Sequence, residues 1–346
     1  MRQTERRMGK ENFYQKKRFK ILLAAIILVV AVAGFFAIKT GHILNKISGS
    51  KNSSLGSLFG NSASPQSDDG RINVLLLGMR GTNMPGGGLL ADSIMVASFD
   101  TKNNKVGLIS VPRDLYVQIP GTSERGKINS VYAHWEGGGK GQGIQKMEEM
   151  MGIVTGLKIN HAIVINFDGF KKMIDAVGGI DVRMPKGFAE TQQFVEGNEC
   201  GGSFTLPIGT NHLNGEKALC YARARVQTND FDRAKRQQVV LKALKDKLIS
   251  LGTLADFSKV NNLLNIAGDN VKTDLTPEEM KGFYDQYASM KDADINQRVF
   301  ENSEKGLLMV PEAGTGLGYV LVPRTGQDNY SAVQDACKNI FTPAAE

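Results

Sequence analysis

The sequence predicts an α/β fold with a mixed central sheet and helices on both faces, preceded by one transmembrane helix. Three observations predict it. Val74-Leu75-Leu76-Leu77 is a continuous apolar run ending in Gly78, the pattern of a central strand covered on both sides. From there to the carboxyl terminus, short strand-like runs interleave with segments of helical period, as layered α/β domains require. Ahead of them, Ile21–Ile38 is an uncharged, apolar run of 18 residues, just long enough to span a bilayer as a helix.

The elements follow in order. Residues 1–20 form a basic tail with eight Lys/Arg against two Glu, so of the net charge of +7 only +1 is left for the rest. The basicity belongs to the tail, and the main body carries no general field for nucleic acid. The tail precedes the apolar run and only Lys39 follows it, which predicts a cytoplasmic amino terminus and an extracytoplasmic body. A cleaved signal peptide with an Ala31-Val32-Ala33 site is the alternative, but the apolar run continues past that point through Ile38. Residues 39–70 are rich in Ser, Gly and Asn and read as a flexible linker. One domain is expected from 71 to 342.

Within it, Ile94–Phe99 and Val106–Val111 are the next strands, joined by a turn over Asp100–Asn104. A helix is expected near Ile144–Met151, then a strand over Ala162–Phe167, a helix over Phe170–Val177 and a strand over Ile180–Met184. Tyr221, Arg223 and Arg225 alternate with Cys220, Ala222 and Ala224, which predicts a short strand with the two arginines on one face. Arg233, Gln237, Leu241, Leu244, Leu248 and Leu251 fall on one helical stripe, with Asp230 or Asp232 as cap. A last helical pattern runs over Pro277–Met290, and Gly314, Gly316 and Gly318 predict a hairpin turn before Tyr319–Val322. The three cysteines, Cys200, Cys220 and Cys337, allow one disulfide, with Cys200 the favoured partner in its loop-like G-N-E-C-G-G segment. The four histidines are far apart, and no C-x-x-C pair exists, which argues against structural zinc.

The chain lacks a G-x-S-x-G elbow, a phosphate-binding G-x-x-x-x-G-K-[ST] loop and a G-x-G-x-x-G turn. What it has is arginine. Guanidinium forks converging on a helix amino terminus suit a phosphate or pyrophosphate. An exposed arginine-rich edge strand followed by an ordinary charged helix is the plainer reading. Ser110-Val111-Pro112-Arg113-Asp114 puts another arginine at the carboxyl end of a strand, where open α/β sheets bind ligands. Asp92, in Ala91-Asp92-Ser93, either holds a divalent cation or caps a turn.

Taken in order, S-V-P-R-D, K-I-N-S-V-Y-A, the Phe167–Phe170 and Val177–Val182 stretches, and Y-A-R-A-R…D-F-D-R-A-K-R-Q-Q closely resemble the LytR-CpsA-Psr family of cell-envelope proteins. The resemblance spans about residues 71–342, and the signal anchor matches the family's usual layout. It implies a phosphotransferase that moves a glycopolymer from a polyprenyl-pyrophosphate carrier to peptidoglycan, with pyrophosphatase activity as a further expectation. It implies pyrophosphate ligands at Arg113, Arg223, Arg225, Arg233 and Gln237, with Lys127 also at the site, Asp114 orienting Arg113, and Arg113, Arg225 and Asp230 catalytic; Arg80, this chain's own feature, is expected to present a further charge to the pyrophosphate. Mg2+ would sit at Asp92. The chain departs from the family at Gly78-Met79-Arg80, where Arg80 replaces a usual second acidic ligand, and at Leu90-Ala91, where a usual arginine is missing. Two other functions compete: a non-catalytic binder of polyprenyl phosphate or wall polymer, and an envelope-linked transcriptional regulator. The short, membrane-adjacent basic tail disfavours the regulator.

Overall fold

The computed structural model describes residues 70–82, 88–137, 140–195, 199–250, 268, 270–276, 279, 294–312 and 316–342. The expected transmembrane run, the linker up to residue 69 and the Pro277–Met290 helix lie outside these residues, apart from residue 279. Among the described residues no helix is long and apolar enough to cross a membrane.

The first half of the described chain contributes strands β1 (Arg71–Met79), β2 (Ala91–Asp100), β3 (Lys105–Ser110), β4 (Tyr116–Gln118) and β5 (Arg125–Lys127), then helices α1 (Ser130–Glu136) and α2 (Gly143–Thr155). Strand β6 (His161–Asn166) leads into α3 (Phe167–Ala176), followed by β7 (Ile180–Met184), β8 (Phe188–Glu190), β9 (Phe204–Leu206) and β10 (Gly209–Leu213). Helices α4 (Gly215–Arg223) and α5 (Asp230–Ser250), strands β11 (Val271–Thr273) and β12 (Asp294–Val299), and helix α6 (Ser331–Lys338) complete the fold.

Six strands form the central sheet in the order β11-β6-β1-β2-β3-β12. β6 pairs with β1 in parallel, as does β12 with β3, while β2 runs antiparallel to both β1 and β3. The sheet is mixed, as expected. Its two faces bury two separate cores. Val74, Met95, Ala97 and Phe99 face α3, α4 and α5, where Ile174, Ala218, Val240 and Leu244 meet them. Leu75, Leu77, Ile94 and Val96 face α1, α2 and α6 through Tyr132, Met147, Met151 and Val333. The unbroken apolar run of β1 follows from this, since alternate residues enter opposite cores.

Local signals set the helix ends. Asn166 caps α3, its Oδ1 accepting from the Gly169 N–H at 2.8 Å, and Asn214 caps α4 by accepting from the Lys217 N–H at 3.0 Å. α5 begins at Asp230, but its cap is Asn229, whose Oδ1 accepts from the Asp232 N–H at 2.8 Å. Neither aspartate expected there serves as cap. α2 ends at Gly156, whose φ of 65° closes the helix in the left-handed region.

The largest correction concerns residues 220–225. They do not form a strand: Gly215–Arg223 is helix, and Arg225 follows it in a loop. The alternation of Ala and Arg imitates strand period, but Lys217, Ala218, Leu219 and Ala222 are good helix formers behind an asparagine cap. Near the carboxyl end, Gly316 and Gly318 take left-handed φ of 76° and 69° between the paired segments Leu308–Met309 and Val322–Pro323. That supports a hairpin, though with a long connection; Gly314 lies outside the described residues. Cys200 and Cys220 form a disulfide with a Cα–Cα distance of 6.0 Å, and Cys337 is a buried free thiol.

Candidate active site

Because β1, β3, β6 and β12 are parallel, their carboxyl ends lie along one edge of the sheet, together with the first residues of the oppositely directed β2. Arg80 follows β1, Arg113 follows β3, and Asp92 is the second residue of β2, between them. The β1–β2 register breaks there: Gly78 pairs with Ser93 and Met79 with Ala91. Asp92 is left unmatched, and such a bulge aims a side chain out of the ladder. The chain leaves β1 through Gly81, whose φ of 90° and close approach to Asn166 exclude a side chain.

The site is an alternating lattice of guanidiniums and carboxylates. Arg113 Nη1 pairs with Asp92 Oδ1, and its Nε lies 3.6 Å from Asp114 and 3.5 Å from Asp230. Burial works against the Arg113 charge, but Asp230, Asp92 and Asp114 outweigh it and raise its pKa. Arg233, only 7 % exposed, donates through Nη2 to Asp230 Oδ2 at 2.7 Å and to the Asp92 carbonyl at 2.9 Å. Burial pushes its guanidinium down to about 10, with Asp230 opposing the shift and Arg113 adding to it. It remains protonated at neutral pH. Arg225 approaches Asp230 Oδ1 at 3.6 Å with its side chain 46 % exposed. Arg223 lies over the Phe167 and Phe194 rings, 4.9 and 5.7 Å from their centroids. Gln237 Oε1 accepts from the Ser93 hydroxyl at 2.8 Å.

Behind this polar mouth is a cavity of about 310 Å3. Leu76, Met95, Ile163 and Ile165 of the sheet form one wall, and Phe170, Met173, Leu219, Val240, Leu241 and Leu244 of α3, α4 and α5 form the other. Arg80, Asp92, Arg113, Arg223, Arg225, Arg233 and Gln237 line its opening. A slot that is apolar inside and cationic at the entrance suits an amphiphile with an anionic head.

Most of the residues singled out by sequence therefore meet at one place, although not as first drawn. Arg223 and Arg225 reach the cavity from a helix end and the loop after it, rather than from one strand face. Lys127 is not among the cavity's lining residues: its Nζ pairs with Asp114 Oδ1 at 2.7 Å, while Arg113 approaches the other oxygen, Oδ2. Asp114 thus steadies Arg113 while itself held by Lys127. Gln193, which also lines the cavity, carries no motif signal and was invisible in the sequence.

The acidic residues do not compose a metal cage. Among the described residues, none of these carboxylates belongs to a cluster of three candidate ligands; the one such group, Cys200, Glu216 and Cys220, includes the disulfide. Asp92, Asp114 and Asp230 are each engaged by a cationic side chain. Arg113 engages Asp92 through Oδ1, so a Mg2+ held there would share the carboxylate with the guanidinium.

A family model described as "LytR_cpsA_psr family" matches residues 34–319. The chain is 31% identical over 288 residues to the polyisoprenyl-teichoic acid–peptidoglycan teichoic acid transferase TagV of Bacillus subtilis, covering 80% of this chain and 68% of that protein. It is 32% identical over 259 residues to the transferase TagU of Bacillus mycoides, covering 73% of this chain and 74% of the relative. The crystal structure of B. subtilis TagV is similar in fold, with a TM-score of 0.57 and 28% identity over 80% of this chain and 98% of that one.

Proposed function

The chain belongs to the LytR-CpsA-Psr family, and from that premise we propose that it is a membrane-anchored phosphotransferase that moves a glycopolymer from a polyprenyl-pyrophosphate carrier to peptidoglycan. The observation that carries this reading is the pairing of the apolar cavity with its arginine mouth. The polyprenyl chain enters between the sheet and α3–α5, which leaves the pyrophosphate among Arg113, Arg223, Arg225 and Arg233. The names of the relatives make teichoic acid the leading class of polymer.

Phosphoryl transfer needs positioning and charge neutralisation more than a covalent nucleophile. An acceptor hydroxyl oxygen attacks the phosphorus that bears the glycopolymer. The bond from that phosphorus to the bridging oxygen breaks, and polyprenyl phosphate leaves. The product is a phosphodiester between glycopolymer and peptidoglycan. Buried Arg233 and half-buried Arg113 meet the charge that builds on the leaving phosphate. We assign the hydroxyl proton to Asp230, the carboxylate that Arg113, Arg225 and Arg233 surround. Water in place of the acceptor gives pyrophosphate hydrolysis by the same route. The engaged carboxylates favour neutralisation by arginine, with Arg80 adding a cation to the cavity lining.

The charge asymmetry around Ile21–Ile38 supports an anchored protein with a cytoplasmic amino terminus and an extracytoplasmic catalytic domain at about 71–342. The test is to add peptidoglycan to the full-length protein charged with a labelled polyprenyl-pyrophosphate-linked polymer. Release of polyprenyl phosphate, with label joined to the wall, is expected. Bound but unchanged lipid would mark a binding module instead.

A further inference from the structure

The arginine loop after α4 has no regular structure of its own, and a neighbouring excursion of the chain holds it in place. Gln193, in the turn after β8, accepts through Oε1 from the backbone N–H of Arg225 at 2.6 Å and of Val226 at 3.3 Å. Its Nε2 donates to the carbonyl of Arg223 at 3.0 Å. One side chain thus clasps the backbone on both sides of Ala224 and, at the same time, lines the cavity. The adjacent Phe194, only 1% exposed, lies beneath the Arg223 guanidinium.

Gln193 is itself fixed. The buried carboxylate of Glu190 accepts from the N–H groups of Gln192 and Gln193 through Oε1 and of Gln227 through Oε2, each at 3.1 Å. Gln227 Oε1 accepts in return from the Thr191 N–H at 2.6 Å. Further along the same excursion, Cys200 is joined to Cys220 on α4, the helix that ends in Arg223. Two loops are cross-braced at three points, more than either needs merely to close a turn. Of these groups only Glu190 is buried; Gln193 is half-buried and Gln227 exposed, so the brace runs from the protein surface down to one buried carboxylate.

We propose that Gln193 is a positioning residue for transfer, which presents Arg223 and Arg225 to the pyrophosphate by clasping their backbone. This inference rests on the functional reading above. Only an amide performs both halves of the clasp. A carboxylate at 193 still accepts from Arg225 and Val226 but turns an acceptor toward the Arg223 carbonyl.

A double-mutant cycle tests it, with binding of inorganic pyrophosphate measured by calorimetry and transfer measured as kcat/KM on the full chain. Gln193→Ala is expected to lower both by about tenfold while the thermal midpoint moves by only a few degrees. Gln193→Glu is expected to lose severalfold. Adding Gln193→Ala to Arg225→Ala should cost less than Gln193→Ala costs alone, because the residue acts through the arginine. Fully multiplicative losses, or wild-type pyrophosphate binding by folded Gln193→Ala, would overturn the inference. If Gln193→Ala does not fold, the same cycle with Gln193→Glu decides. Wild-type pyrophosphate binding and transfer by Arg225→Ala would instead defeat the functional reading itself.

Discussion

Asp230, in the first turn of α5, reaches Arg113 beyond the end of β3, with 3.5 Å between its Oδ2 and the arginine Nε. The same carboxylate holds Arg233 at 2.7 Å and lies 3.6 Å from Arg225. One acid therefore gathers three cations contributed by three separate stretches of chain. Asp230→Asn keeps the shape and removes both the charge and the proton acceptor. Transfer is expected to fall by about 100-fold or more, in the range for loss of a general base. The fold should survive, as circular dichroism would report; a folded Asp230→Asn enzyme with wild-type kcat would remove Asp230 from the catalytic group.

The cavity yields a prediction that depends on chain length. Leu241 lies on α5 in the cavity wall and is only partly buried. Leu241→Trp fills space meant for the carrier without touching the arginine mouth. Affinity for a long polyprenyl pyrophosphate is expected to drop by about tenfold or more, whereas inorganic pyrophosphate binds as before. Equal losses for both ligands would place the carrier chain elsewhere.

Much of this site was legible because phosphate chemistry leaves a compositional trace. Arg113 and Asp92 sit beside apolar runs whose strand character is plain, and the stripe from Arg233 to Leu248 marks the buried face of α5. Tyr221–Arg225 misled because alternation of small and long residues is ambiguous over so few positions, and the asparagine cap of α4 lies well upstream. Lys127 stands outside the cavity lining with its ammonium held by Asp114, a pairing that sequence does not reveal. Gln193 and Glu190 left no trace at all. The partners that tie them to the arginine loop are backbone groups 30 or more residues away in sequence, and a hydrogen bond to backbone imposes no pattern on the residues that make it.

Stability should carry a pH dependence unrelated to catalysis. Glu148 of α2 lies against Asp274, which also accepts from the Ala162 N–H at 2.7 Å and lies 3.3 Å from His161 Nδ1. Burial, and then the Asp274 charge and hydrogen bond, push Glu148 up to about 8. A raised carboxyl pKa means that the folded state holds this proton more tightly than the unfolded chain does. The linked stability is complete below the ordinary value of 4.5 and is lost as pH rises through about 8. Glu148→Gln keeps a donor toward Asp274 at every pH. Its thermal midpoint should match wild type near pH 5 and exceed it by a few degrees near pH 9. Identical midpoints at both pH values would show that Glu148 titrates normally.

The last prediction concerns the cation at the mouth. Arg80 and Asp92 both line the cavity, and Asp92 is already engaged by Arg113. A guanidinium fixed there repels a divalent cation and offers the pyrophosphate a permanent positive charge of its own. A metal at Asp92 would have to share its carboxylate with Arg113 and enter a mouth that also carries Arg80. Neutralisation by arginine avoids both costs and leaves the lattice of Asp92, Arg113, Asp230 and Arg233 intact. Transfer by the wild-type enzyme is therefore expected to persist in excess EDTA. Arg80→Asp adds a second carboxylate to the cavity lining that Asp92 shares and should make activity depend on added Mg2+, with little turnover in the chelator. Arg80→Ala separates charge from metal: it should lose about tenfold in affinity for pyrophosphate without gaining any response to Mg2+. Strict dependence of the wild-type enzyme on magnesium would return Asp92 to the role of a metal ligand and reduce Arg80 to a bystander.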